Sequence, residues 1–291
     1  MKKSIALVAL AFGVTGAFAQ DLTSKKGEPF LPEAGDYAIG VDATPFLNYV
    51  GNFFGKSTAN NAPTFNFLNN SNLMIMGKKF VDANTAYRVG LNLNFGSTKY
   101  TNNVLDQTST ATPQAYVQDT RKVGNTFVGL TAGIEKRRGK TRLQGVYGAE
   151  AGLSFGSTKS KYAYGNTMDN THTTPQSTDW ATWNGTSANS TANGNRTTET
   201  KSGVAIGFGV RAFVGAEYFV APKVSIGGEF GWGLGLTLQG KGSSTSEALN
   251  ASGAATSTTT DTGKTSTFGL GTDNRNSVFG PSASLRLNLH F

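Results

Sequence analysis

The last seven residues, Leu285-Arg286-Leu287-Asn288-Leu289-His290-Phe291, alternate apolar and polar without interruption. Successive side chains of a strand point to opposite faces, so this segment sets Leu, Leu, Leu and Phe against Arg, Asn and His. Continued backwards, Phe279, Pro281 and Ala283 stay on the apolar face, Ser282 and Ser284 on the polar one. The period recurs upstream. Tyr87, Val89, Leu91, Leu93 and Phe95 alternate with Arg88, Gly90, Asn92 and Asn94. From Val204 to Tyr218 an unbroken apolar row faces Gly207, Gly209, Arg211, Gly215 and Glu217. A helical period would mix these two classes, whereas strands separate them.

The amino terminus reads as an export signal. Met1-Lys2-Lys3 is basic, Ile5 to Val14 is mostly apolar, and Ala17-Phe18-Ala19 offers the small residues of a cleavage site before Gln20. That apolar run is too short for a helix to span about 30 Å of hydrocarbon, and no later segment has about 18 consecutive apolar residues. Any membrane crossing therefore has to use strands. The chain has no cysteine, which excludes disulfides, a lipid-modified cysteine and zinc–thiolate chemistry. Charged residues make up 15%, below the roughly 25% of soluble domains. The net charge of +8, or +6 once Lys2 and Lys3 are removed, is scattered, which argues against a nucleic-acid footprint.

Segments of this period are expected near Tyr37–Val50, Leu73–Phe80, Tyr87–Phe95, Val128–Ile134, Leu143–Phe155, Val204–Tyr218, Val224–Leu238 and at the carboxyl terminus. Short turns at Val81–Asn84, Arg137–Lys140 and Phe219–Lys223 alternate with four polar stretches read as loops: the link holding Asn60-Asn61-Ala62-Pro63 and Asn69-Asn70-Ser71-Asn72, then Ser97–Lys122, Lys159–Lys201 and Gly240–Asn274. An even strand number with asymmetric connections predicts an all-β fold: a transmembrane antiparallel up-and-down β-barrel of about eight strands, with short periplasmic turns and long extracellular loops. A soluble barrel of this size would put large apolar residues inside. Here the face bearing Gly and charge fits a narrow lumen, and the apolar face fits lipid. Tyr87, Tyr218 and Phe291 then mark one rim, and Phe95, Phe127, Phe155 and Phe279 the other. The expected organisation is a signal peptide at 1–19, a periplasmic extension at 20–36 and the barrel at 37–291.

The inward charges are Asp42, Lys78, Arg88, Glu150, Arg211, Glu217, Glu229 and Arg286. Charges buried in a low-dielectric wall have to pair, so Glu150 is expected with Arg211 and Glu229 with Arg286. A salt-bridged plug is favoured over a gated pore. The turn Arg137-Arg138-Gly139-Lys140 is expected to snorkel toward lipid headgroups. No catalytic, cofactor or metal site is assigned. His172 with Asp169, Ser177 and Asp179 lies in a polar stretch without a scaffold, and His290 sits at the periplasmic mouth. Gly207-Phe208-Gly209-Val210-Arg211-Ala212 resembles a nucleotide motif but lies inside a strand with no helix after it. Tyr162, Tyr164, Trp180 and Trp183 are candidate loop contacts that either cap the barrel or stack on a partner.

The export signal, the strand rhythm and the terminal Leu-Asn-Leu-His-Phe together resemble the small OmpA/OmpX-type outer-membrane barrels over residues 37–291. The resemblance implies a Gram-negative outer-membrane location among lipids and lipopolysaccharide. It also implies that Phe291 and its strand are the signal read by the barrel-assembly machinery. The chain departs from that family in its 20–36 extension and in lacking a peptidoglycan-binding domain after the barrel. The expected role is structural or adhesive, through loops that bind an extracellular protein or glycan, and not enzymatic. A small passive pore is the alternative; a lipid-modifying enzyme or protease ranks below it.

Overall fold

The computed structural model of the chain describes residues 22–42, 74–185, 190–272 and 284–291. Among them the strands are Tyr37–Asp42 (β1), Met74–Asp82 (β2), Thr85–Leu105 (β3), Tyr116–Arg138 (β4), Leu143–Ala163 (β5), Gln176–Thr178 (β6) and Ser190–Ala192 (β7). There follow Asn195–Lys201 (β8), Ala205–Ala221 (β9), Val224–Gln239 (β10), Ser243–Leu249 (β11), Ala255–Asp261 (β12), Thr265–Thr272 (β13) and Ser284–His290 (β14).

All pairings are antiparallel, and eight of the strands close on themselves. Around the ring the order is β1, β2, β3, β4, β5, β9, β10, β14 and back to β1. Closure rests on the carboxyl-terminal strand. Ile39 pairs with Leu289 on one of its edges, and Val224 with the same Leu289 on the other. The period-two pattern dictates which face goes where. Along β9, the residues from Gly207 to Phe219 alternate inward and outward, so that Phe208, Val210 and Val214 are about half exposed while Arg211, Phe213 and Glu217 are buried.

The sheet is larger than the ring: among the described residues it has twelve strands. Two of the polar stretches read as loops, Ser97–Lys122 and Gly240–Asn274, are mostly strand, and a third, Lys159–Lys201, is strand in part. β3 and β4 pair continuously from Thr85 with Lys136 to Leu105 with Tyr116, so the expected loop at Ser97–Lys122 shrinks to residues 106–115. Likewise β5 runs on to Ala163, and β8, β11 and β12 extend the same sheet edge. The physical reason is that a ladder needs backbone partners, not apolar side chains. Thr, Ser and Lys tolerate extended backbone once a neighbouring strand supplies hydrogen bonds. Beyond Asp42 the first expected segment and the link after it lie outside the described residues, as do Phe279, Pro281, Ala283 and the export signal.

Two further expectations change. β4 continues through Arg138, so Arg137 is not part of a solvated turn: it points inward and is 4% exposed. Phe127 shares the parity of Gly129 and Thr131, which places it inside rather than on the outer rim. Residues 22–36 lie across the short-turn end. Phe30 is buried against the Arg142 guanidinium (3.6 Å to the ring centre), and its carbonyl accepts from the Lys223 amide at 3.2 Å. Lys223 has a left-handed φ of 59° and also pairs with Asp36. Burial alone would raise the Asp36 carboxyl, but Lys223 and the Glu33 amide together hold it below the usual range.

Candidate functional site

The inward face of the ring carries an ion-pair column. Its members come from β2 (Lys78), β3 (Arg88), β4 (Glu135, Arg137), β5 (Glu150), β9 (Arg211, Glu217), β10 (Glu229) and β14 (Arg286). Nearest the short turns, Glu217 meets Arg137 and Lys78 and accepts from Ser225 and from the Asn288 amide at 2.7 Å. Glu135 joins Lys78 at 2.8 Å and Arg137 at 3.2 Å. One level along, Glu229 takes Arg88 at 3.0 Å, Arg211 at 2.9 Å and Arg286 at 3.2 Å, while Glu150 takes Arg88 at 3.1 Å and Arg211 at 2.9 Å.

Arg88 ties the two levels together, because it also reaches Glu135 at 3.4 Å. It is 1% exposed. Its β-sheet neighbour across the strand pair is Lys78, and two like charges directly opposite are destabilising. Glu135 resolves the conflict by bonding both. The guanidinium also lies 4.0 Å from the centre of the Phe213 ring. Phe213 fits there because β5 offers Gly148 beside it: a methyl group at that position would stand 2.8 Å from the ring. The floor of the column is aromatic, with Phe80 and Phe219 packed on His290 at 5.5 and 5.2 Å and Arg137 over Phe80 at 4.8 Å.

Both pairs expected from the sequence, Glu150–Arg211 and Glu229–Arg286, are present, but each is one edge of a shared network. Asp42 lies on β1 in register with Arg286, and its side chain is outside the described residues. Sequence reasoning missed Glu135, Arg137, Ser225 and His290 as members. The signal for Glu135 and Arg137 was their parity with Thr131 and Gly133, opposite Ile134. A cavity of about 20 Å3 lies between Lys78, Glu135, Glu217, Glu229, Arg286 and Asn288, room for about one water.

Ser225, His290 and Glu217 form a cluster of nucleophile, base and acid types. The same His290 nitrogen, Nε2, faces both Ser225 at 3.2 Å and Glu217 at 3.3 Å. A relay needs the serine and the acid on different ring nitrogens, and Nδ1 has no hydrogen-bond partner among the described residues. Each carboxylate of the column is already held by two or more cations. The arrangement can bind strands to one another and exclude water.

A second buried polar cluster sits beyond the ring, under the 164–185 segment. Asp119 on β4 is fully buried and accepts from the Gly165 amide at 2.8 Å, the Thr178 amide at 2.6 Å and the Thr178 hydroxyl at 2.9 Å. Asn166 bonds the Leu105 and Gln176 carbonyls, each at 2.8 Å. Arg196 joins Glu247 at 2.7 Å and stacks on Tyr164 at 4.5 Å. Burial raises the Tyr164 phenol above its ordinary value, and its hydroxyl donates to the Thr197 carbonyl at 2.7 Å. Asp119→Ala is expected to free this segment. Hydrogen exchange at Gly165 and Thr178 should quicken roughly 10–100-fold, as about 1.5–3 kcal/mol per charged hydrogen bond implies, with the ring amides still protected. Unaltered exchange at Thr178 would refute the role of Asp119.

The candidate contact aromatics belong to the same region. Tyr162 lies in β5 and not in a loop. It forms a cross-strand row with Arg121 and Tyr100, and Trp180 and Trp183 pack on that row at 6.4 and 5.6 Å. Trp180 is 8% exposed and meets Trp183 edge-on at 5.3 Å. His172 and Asp169 make a local turn: the Thr171 hydroxyl, then the His172 amide, hold the Asp169 carboxyl at about 2. Ser177 instead donates to the Pro175 carbonyl, and Asp179 caps Ala181 and Thr182, so these four residues do not converge on one another. Among the described residues no three His, Asp or Glu side chains group as metal ligands.

Comparison with protein-family models, with curated proteins and with solved structures finds no match to this chain.

Proposed function

We propose that the chain is an integral outer-membrane β-barrel, sealed by its ion-pair column, that carries a folded platform of strands on its long-connection side. The role assigned to the platform is structural or adhesive. The carrying observation is the outer face of the ring. Tyr87, Val89, Leu93, Leu130, Ile134, Tyr147, Val210, Val214, Phe230, Trp232 and Leu234 are each about half exposed, on neighbouring strands. Monomeric soluble proteins rarely leave so wide an apolar surface to water. No helix of the described residues is long and apolar enough to cross a membrane, so strands have to do it.

The span supports this reading. On β4 the outward positions between Lys122 and Lys136 bear no charge. That distance is roughly 46 Å along the strand at about 3.3 Å per residue. At a tilt of about 35–45° it projects to roughly 33–38 Å, an apolar band plus part of each headgroup layer. The filled interior favours a sealed column over the pore, since conduction needs sites an ion can leave.

The adhesive part has its own test. Excising residues 166–194 removes the segment over Asp119 but keeps β5 and β8, which the wider deletion 159–201 would destroy. Heat-modifiable gel mobility is expected to survive, while binding of intact cells to extracellular protein or glycan arrays is expected to vanish. Full binding by the excised protein would remove the platform from the proposal.

A further inference from the structure

The outward face of the sheet changes character abruptly beyond the apolar belt. Phe95 on β3 and Phe155 on β5, about 53% and 41% exposed, close the belt; large apolar side chains return on this face of β3 and β4 only at the hairpin tip, with Leu105 and Tyr116. Four residues further on each strand come Lys99 and Lys159. Lys99, Lys122 and Lys161 then stand directly opposite one another across β3, β4 and β5, and strict alternation puts all three on the outward face. Like charges in register repel, so this row costs stability unless something negative covers it.

Among the described residues no acidic group supplies the cover. Glu199 lies opposite Lys161, but its carboxylate is engaged by Lys201 at 2.6 Å and Lys159 at 2.9 Å, which hold it at about 2. A further acidic group on this face, Asp261, is with Lys241 at 3.5 Å. Among the described residues Lys99, Lys122 and Lys161 have no ion-pair partner. The inner face of the same strands is different: there Tyr100, Arg121 and Tyr162 are covered by the tryptophans.

We infer that Lys99, Lys122 and Lys161, with Lys159 and Lys201 beside them, form a docking surface for a phosphate-bearing lipid headgroup of the outer leaflet. The inference deepens the membrane-barrel reading and rests on it. Position selects a lipid over a soluble anion. The row begins about 13 Å along the strand from the aromatic rim, roughly 10 Å along the membrane normal after tilt. Headgroups occupy the first several Å outside the hydrocarbon, and lysine stems reach back toward them. Strand spacing of about 4.8 Å puts the ammonium groups close enough to share one headgroup carrying two phosphates.

The test uses the folded full-length protein in nanodiscs, either of phosphatidylcholine alone or with bisphosphorylated lipid A, with retained lipid counted by native mass spectrometry. Each lysine near an anionic surface changes affinity by roughly fivefold, so Lys99→Ser, Lys122→Ser and Lys161→Ser together should lower lipid A retention about 100-fold. A charge-matched variant at the exposed Lys25, Lys26 and Lys264 should retain it as the parent does. Equal loss in both variants, or loss in neither, overturns the docking surface. Competition by inorganic phosphate as effective as by the lipid overturns the lipid assignment. Failure of the parent protein to enter phosphatidylcholine discs sinks the barrel reading itself, and that arm contains no anionic lipid, so the two failures are told apart.

Discussion

Arg88→Met is expected to lower the unfolding free energy by about 3–5 kcal/mol, the cost of removing one partner from a buried ion pair. Arg88 alone contacts Glu135, Glu150 and Glu229, so its loss leaves three carboxylates short of a cation in a site that water scarcely enters. Methionine keeps only the unbranched apolar stem, so the measured cost includes the guanidinium's contact with Phe213 as well as its charge. Urea titration of the protein reconstituted in lipid vesicles, followed by tryptophan fluorescence, measures the change. Lys241→Met is the control, since Lys241 and Asp261 are both more than 60% exposed and such pairs contribute about 0–1 kcal/mol. If Arg88→Met cost no more than the control, the column would not be what holds the strands together.

Val210→Arg should cost about 2–4 kcal/mol in bilayers, against less than about 1 kcal/mol for Val204→Arg. Both valines face outward and are about half exposed, 49% and 55%, so in water the two substitutions would be nearly equivalent. Depth is what distinguishes them. Val210 lies mid-strand on β9, whereas Val204 lies just before β9 begins, level with the loop-side rim. The same vesicle titration reads the difference. Equal and small effects at both sites would mean that no hydrocarbon surrounds the ring, and the proposed location would fall with it.

Parity carried much of the architecture from the sequence. A period of two needs only a list of residues, and it set Arg211 and Glu217 inward against Val210 and Tyr218 outward. It also allowed Glu150 to be paired with Arg211, because β5 and β9 were adjacent long strands of matching pattern. Parity failed where polarity was mistaken for irregularity. Lys99 to Leu105 and Tyr116 to Lys122 hold no apolar row, yet they are the two halves of one hairpin. The basic segment Arg137-Arg138-Gly139-Lys140 suggested a turn at Arg137, although two more residues of strand were needed to bring its guanidinium onto Glu217.

The amino-acid order by itself determined that strands form, which face of each is apolar and that the terminal strand belongs to the same set, because alternation is a property of one segment alone. The tertiary structure decided who meets whom. Arg88 reaches Glu229, distant in sequence, only through ring closure, and Asp119 finds Thr178 only when a distant segment folds over β4. Register and closure are shared among strands, so no single segment encodes them.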